Sequence, residues 1–276
     1  MSSHSTNFAL LSAQGNPGAG VNLMRPAQAL SQQPRLPLRF NRVEAKPARL
    51  RLAVADAPPQ LFSDMPQSDV ATILSAAQVV KFDRQETVFR SGEVIQQVIL
   101  LMQGSVKITL VDENGCAVIL RLVGRGEILG TIGGARCGSN YSSAEAREES
   151  QAHVWSAATF EALSERFPTF RRNSMQILAK CLQDLEVRFR EISTETVAFR
   201  LSREVSRLIP RVGRKVDDGD IEINLSREEL AQMTGTTLFT VSRLLSKWEQ
   251  KGIVSLRRLA VVVRDPIALA NISGAE

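Results

Sequence analysis

Apolar and polar positions change rhythm twice along this chain. Residues 1–57 keep neither a period of two nor one of 3.6. They are rich in Ser, Gln, Ala, Gly and Pro, which predicts a disordered segment. A compact part is expected from Pro58-Pro59 onward, with a short helix from Asp69 to Ala77. From Val79 the rhythm is that of β-structure. Val79–Phe82, Thr87–Phe89, Val98–Met102, Val106–Val111, Val118–Val123, Ala144–Arg147 and Ala152–Trp155 are short apolar runs. Glycines at 92, 104, 115, 124, 126 and 130 punctuate them at the spacing of an all-β roll or barrel. Asn114-Gly115 lies between two such runs, a strong hairpin signal because both residues tolerate positive φ.

Helical periodicity takes over near Thr159. Pro168 interrupts it, and a long helix is predicted from Thr169 to Ile192. On it Ser174, Leu178, Cys181, Leu185, Arg188 and Ile192 recur in alternating steps of four and three, the seam of a paired helix. Arg188 is out of character there. The alternative is a helix lying on the core of its own domain. The length of the run and its few other apolar positions favour the seam.

Between Leu225 and Val263 the signals are denser. Ser226-Arg227-Glu228-Glu229 reads as a capping box opening a short helix, with Leu230, Ala231 and Met233 on its apolar side. Thr234-Gly235-Thr236 reads as a tight turn. A second helix is predicted from Thr237 to Gln250, stopped by Gly252, with Val241, Leu244, Leu245 and Trp248 as its buried face. Two short helices joined by a glycine turn, at residues 226–245, match the helix-turn-helix that places its second helix in the DNA major groove. Ile253–Leu256 and Leu259–Val263 then read as a two-stranded wing with Arg257 and Arg258 at its tip, placed for phosphates. The candidate DNA contacts are Ser226, Thr237, Leu238, Phe239, Thr240, Ser242, Arg243, Lys247, Arg257 and Arg258.

Composition narrows the classes. The 276 residues are 43% hydrophobic and 23% charged, ordinary for a globular chain. No apolar run approaches the roughly 18 residues of a membrane span, and no secretory signal is expected, since the first residues lack a basic start followed by an unbroken apolar core. Net charge is +5, but unevenly placed. Residues 1–57 hold Arg25, Arg35, Arg39, Arg42, Lys46, Arg49 and Arg51 against Glu44 and Asp56; the middle is acidic and the C-terminal part basic again. Basic ends suggest a polyanion partner. Cys116, Cys137 and Cys181 are far apart and form no CxxC pair, so neither a disulfide framework nor a zinc site is readable and a reducing cytoplasm is expected. His4 and His153 are the only histidines, which argues against a Ser-His-Asp hydrolase or a His-rich metal site. No carboxylate pair or phosphate loop stands out, so no enzyme is expected.

The order of roll, long helix and winged helix-turn-helix resembles the Crp–Fnr family of transcription regulators over residues 58–272. The stretches that carry the likeness are Gln103-Gly104-Ser105-Val106, Asp112-Glu113-Asn114-Gly115, Gly126-Glu127-Ile128-Leu129-Gly130 and Thr240-Val241-Ser242-Arg243-Leu244-Leu245. The resemblance implies an α+β chain in four parts. These are a basic tail (1–57), a cyclic-nucleotide-binding-type β roll (58–168), a dimerisation helix (169–195) and a winged helix-turn-helix domain (196–276). It further implies a homodimer on a palindromic operator of double-stranded DNA, working with RNA polymerase. A hinge is expected near Glu195–Phe199, with Leu178, Cys181, Leu185 and Ile192 as the dimer seam.

The departures bear on the effector. In cAMP-binding relatives a Glu directly after the second cassette glycine holds the ribose; here Thr131 follows Gly130. An Arg before a Ser-Ala pair holds the cyclic phosphate; here Ser142 precedes Ser143-Ala144. A hydroxyl cannot replace a bidentate guanidinium, and the loss is worth roughly 2–5 kcal/mol. The polar pair that meets adenine from the long helix becomes Leu185-Glu186. These changes argue against cAMP and leave open another effector or none. An iron–sulfur cluster needs clustered N-terminal cysteines, and residues 1–115 contain none. Haem would leave His153 as candidate ligand, but its β run with Val154 and Trp155 favours a packed histidine. In the recognition helix, family members often place a cytosine-reading Glu where Phe239 stands here, preceded by Leu238. Phe239 either meets thymine methyls or folds back into the domain core. The rival to the whole reading is a regulatory or protein-interaction module on the same roll that binds no DNA.

Overall fold

The computed structural model describes residues 59–113, 115, 117–130, 138–216 and 219–272. The readings made on residues 1–57, Asn114, Cys116, Thr131 and Cys137 lie outside the described residues. After a 3-10 turn at Gln60–Phe62, helix α1 (Gln67–Ser75) leads into eight strands: β1 (Gln78–Phe82), β2 (Thr87–Phe89), β3 (Gln97–Gln103), β4 (Val106–Val111), β5 (Ala117–Val123), β6 (Ile128–Leu129), β7 (Ser143–Ala146) and β8 (Ser150–Ser156). They form two antiparallel four-stranded sheets, β1-β8-β3-β6 and β2-β7-β4-β5. Period-two alternation explains the continuous apolar run in β3. Ile99 and Leu101 point between the sheets with Val80, Phe82, Ile108 and Val154. Val98 and Leu100 point outward onto a helical layer with Ile73, Trp155, Phe160 and Phe170. Trp155 Nε1 donates to the Ile73 carbonyl at 2.9 Å, so the indole is buried without an unpaired donor. The β4–β5 hairpin closes as its sequence suggested, with the Gly115 N–H donating to Asp112 O.

Ser156 caps α2 (Ala157–Arg166), accepting from the Thr159 N–H at 3.0 Å. Pro168 then opens the long helix α3 (Pro168–Thr194) at its first turn, where a missing N–H costs nothing. Helix α4 (Val197–Val212), capped by Thr196, follows after a single break at Glu195. The family resemblance had implied only a hinge there. The remaining elements are β9 (Arg214–Lys215), β10 (Ile221–Ile223), α5 (Arg227–Thr234), α6 (Leu238–Gln250), β11 (Val254–Arg257), β12 (Ala260–Val263) and α7 (Pro266–Ala270). The expected two-stranded wing is a four-stranded sheet, β11-β12-β10-β9. Strands β9 and β10 are too short for a sequence rhythm to show.

The roll and the C-terminal part share a core. Ile119 and Leu122 of β5 lie in one buried cluster with Leu201, Val205, Leu208, Leu230, Leu245 and Trp248. A Cβ at Gly124 would sit 2.4 Å from the Arg211 carbonyl oxygen, so only glycine lets α4 approach the roll this closely.

Candidate nucleic-acid interface and effector cleft

The helix-turn-helix is built by local hydrogen bonds that the sequence encodes. Ser226 Oγ accepts from the Glu229 N–H at 3.1 Å, and the Glu229 carboxylate accepts from the Ser226 N–H at 2.9 Å. Both orphan donors at the start of α5 are thereby satisfied. Gly235 takes φ of 61° and ends α5 in the left-handed region. Thr237 Oγ1 accepts from the Thr240 N–H at 3.2 Å and starts α6 two residues later. Val241, Leu244, Leu245 and Trp248 are buried. Leu238, Phe239, Arg243, Ser246 and Lys247 are exposed, while Thr240 and Ser242 are half-buried. Phe239 is 76% exposed, so the alternative that it folds back into the core is overturned. The Ser226 hydroxyl is engaged in its capping box. Arg257 is exposed but bonded to Glu222 at 2.5 Å; Arg258, in the turn between β11 and β12, is exposed. The two wing arginines are thus not equivalent.

The α5 end of this unit is fastened to the roll. Arg147, from the β7–β8 turn, pairs with Glu229 at 3.3 Å and donates to the Asn224 carbonyl. Arg214 pairs with Glu148, whose other oxygen accepts from Ser105 Oγ at 2.9 Å.

The outer face of α3 carries Met175, Leu178, Leu182, Leu185, Phe189 and Ile192, all exposed and alternating by three and four. Three of the expected seam residues, Leu178, Leu185 and Ile192, are on this stripe. The other half of the expected seam is one residue out of frame. Ser174 is buried and donates to Phe170 O. Cys181 faces its own roll, 3.8 Å from Arg121 Nη1. Arg188 reaches inward to the Leu120 carbonyl and, at 2.9 Å, to Glu204. The physical reason is the ion network beneath: Arg207 pairs with Glu204 at 3.3 Å and with Glu191, both carboxylates being buried. Burial pushes the Arg188 guanidinium down from its usual range, partly offset by Glu204. Burial also acts to lower Arg207, but its hydrogen bond to Glu191 and the charges of Glu191 and Glu204 outweigh that and leave it raised.

Between β5, β6 and α3 lies a cavity of about 250 Å³, lined among others by Leu120, Arg121, Gly130, Ile177, Cys181 and Leu185. Of the expected effector positions, Gly130 and Leu185 line it. Ser142, Ser143 and Ala144 do not. Ser143 Oγ accepts from the Ser91 N–H at 3.0 Å, and Ala144 is fully buried in β7. Sequence reasoning missed Arg121, which donates to the Ile128 carbonyl at 3.0 Å. A lone charge inside the apolar run Val118–Val123 was the available signal. His153 lies buried beside Trp155, its ring 6.2 Å away, and its Nδ1 has no partner among the described residues. Burial holds it below the ordinary imidazole range, as a packed neutral histidine.

This architecture has known counterparts. Residues 79–167 match a cyclic nucleotide-binding domain model, and residues 178–272 match a Crp-like helix-turn-helix domain model. The chain belongs to the Crp–Fnr family. It is a DNA-binding transcription regulator of the Crp–Fnr type. Among its relatives is a CRP-like cAMP-activated global transcriptional regulator of Mycobacterium tuberculosis, 24% identical over 76% of this chain and 95% of the relative. Another is a global nitrogen regulator of Synechococcus elongatus, 25% identical over 70% of this chain and 89% of that one. FixK2 from Bradyrhizobium japonicum shares the fold, with a TM-score of 0.64 over 72% of this chain and 98% of FixK2, at 21% identity. Among the described residues, no helix is long and apolar enough to cross a membrane.

Proposed function

We infer that this regulator binds a two-fold symmetric operator as a homodimer and that cAMP does not control it. The observation that carries the dimer is the outer stripe of α3. Six large apolar side chains stand exposed at the spacing of a paired helix, and none of the described residues buries them. A second copy packed on that stripe places two α6 helices about one DNA turn apart, the geometry of paired half-sites. In this reading residues 58–168 form the sensor, 169–195 the dimerisation helix and 196–276 the DNA-binding part, with RNA polymerase as the further partner in the cytoplasm. Leu238, Phe239, Arg243 and Lys247 of α6 face the groove, with Thr237, Thr240 and Ser242 at its margins. Ser226 and Arg258 lie toward the backbone. Arg257 joins them only by leaving Glu222.

The case against cAMP rests on the phosphate site. Ser142 offers no guanidinium, the Ser143 hydroxyl is already bonded to Ser91, and Arg121 is committed to the Ile128 carbonyl. The test is selection and sequencing of random DNA by the purified chain, without and with cAMP. An enriched palindrome, identical in both arms, is expected. A site that appears only with cAMP overturns the effector reading, and a site lacking two-fold symmetry overturns the dimer.

A further inference from the structure

The apolar pair at the start of α6 is left without a role by folding. Phe239 is 76% exposed and Leu238 51%. The core side of the helix is already filled by Val241, Leu244, Leu245 and Trp248. At 100° per residue, Phe239 lies diametrically opposite Trp248, at the centre of the outward face. Arg243 and Ser246 follow it in line, one and two turns on, both exposed. The row therefore runs from a phenyl ring to a guanidinium to a hydroxyl. Duplex DNA presents a surface of that mixed chemistry in its major groove. Thymine shows a C5-methyl group there, and guanine shows two acceptors. The N-terminal residues of the second helix are those that reach base edges. A phenyl ring has no hydrogen bond to offer, so a methyl edge rewards it, whereas cytosine beneath it leaves an amino donor unpaired.

We propose that Phe239 is a specificity residue that reads a thymine methyl in each operator half-site. Leu238 shields the flank of that contact, and Arg243 holds the neighbouring guanine or phosphate. The proposal rests on the DNA-binding mode described above and names the base that this face selects.

The experiment starts from duplexes selected by the full chain. Each thymine pair is replaced in turn by deoxyuridine, which removes only the methyl, and affinity is read by fluorescence anisotropy. For the wild type, one symmetric pair of positions is expected to lose about fourfold per half-site, the worth of one buried methyl group. Phe239→Ala is expected to change less than about twofold at the same positions, having already lost the contact. Phe239→Glu, reselected on random DNA, is expected to move that position from thymine to cytosine. Indifference of the wild type to every deoxyuridine, or equal sensitivity in Phe239→Ala, overturns the assignment while leaving DNA binding intact. No enriched duplex and no salt-dependent retention overturns the DNA-binding mode and the assignment together. The altered side chain is exposed, so thermal midpoints within about 2 °C of wild type are expected for both variants.

Discussion

The two long sides of α3 present opposite chemistry. The inner side sets Arg188 and Glu191 into an ion network with Glu204 and Arg207, while the outer side holds Met175, Leu182 and Phe189 in solvent. Toward the C-terminal end of α3 this is amphipathicity turned inside out for an isolated subunit, whereas nearer its start Phe170 is buried among apolar neighbours. The hydrophobic effect does not place charges inside and apolar groups outside unless something else covers the apolar side. The contrast is what the proposed dimer requires of α3: one side fitted to its own α4, the other left for a second copy.

The strongest way to break that comparison is at the inner side. Glu204→Ala strands Arg188 in a buried position without its carboxylate. A loss of about 3–5 kcal/mol in urea unfolding is expected, because an unpaired buried charge is costly. A loss below about 1 kcal/mol would show that ions do not hold this side. On the outer side, Leu182→Glu puts a charge into the apolar stripe. The subunit's own fold should change by under about 0.5 kcal/mol, since Leu182 is exposed. Self-association should weaken by about 2 kcal/mol or more, roughly 30-fold in Kd by sedimentation. Unchanged association would remove the covering partner from the argument. The smallest effect sharpens the contrast from within the roll, where burial alone lowers the pKa of His153. Its depressed pKa means that the unfolded chain takes up a proton first as pH falls. Stability from this group is full above the ordinary value of 6.5 and declines below it. In His153→Leu that decline should be absent from unfolding curves measured between roughly pH 7 and 5.

The same comparison shows where sequence is legible. The roll strands Thr87–Phe89 and Val106–Val111 were readable to the residue: the second lies between Gly104 and Gly115 and alternates in burial over its first four residues, and the first is a β-branched and aromatic run just ahead of Gly92. The capping box, the Gly235 turn and the buried face of α6 were equally open, since each is a local rule. The exposed stripe of α3 was half legible. A 3.5-residue repeat through Leu178, Leu185 and Ile192 is compatible with two adjacent frames, 174/181/188 and 175/182/189. What decides between them is the ion pairing of Arg188 with Glu204, a contact across 16 residues that no local rhythm carries. Helix α4 was missed although Leu201, Val205 and Leu208 keep a helical period. Buried Glu204 interrupts that face, and Pro210 sits in the last turn. On α6 and the β11–β12 turn, which side chains face outward was legible but ion pairing was not, since Arg257 answers to Glu222 from a different strand.

The shared core has a consequence for how such regulators can be recombined. Ile119 and Leu122 leave the roll to complete the packing around Leu230 and Trp248, and Arg147 crosses the same boundary to Glu229. The reading head and the roll are therefore not interchangeable cartridges. Exchanging the C-terminal part with that of a relative also exchanges the socket it plugs into. A working hybrid has to inherit the β4–β5 hairpin together with the helices it supports, so the natural seam for recombination does not follow the order of the chain.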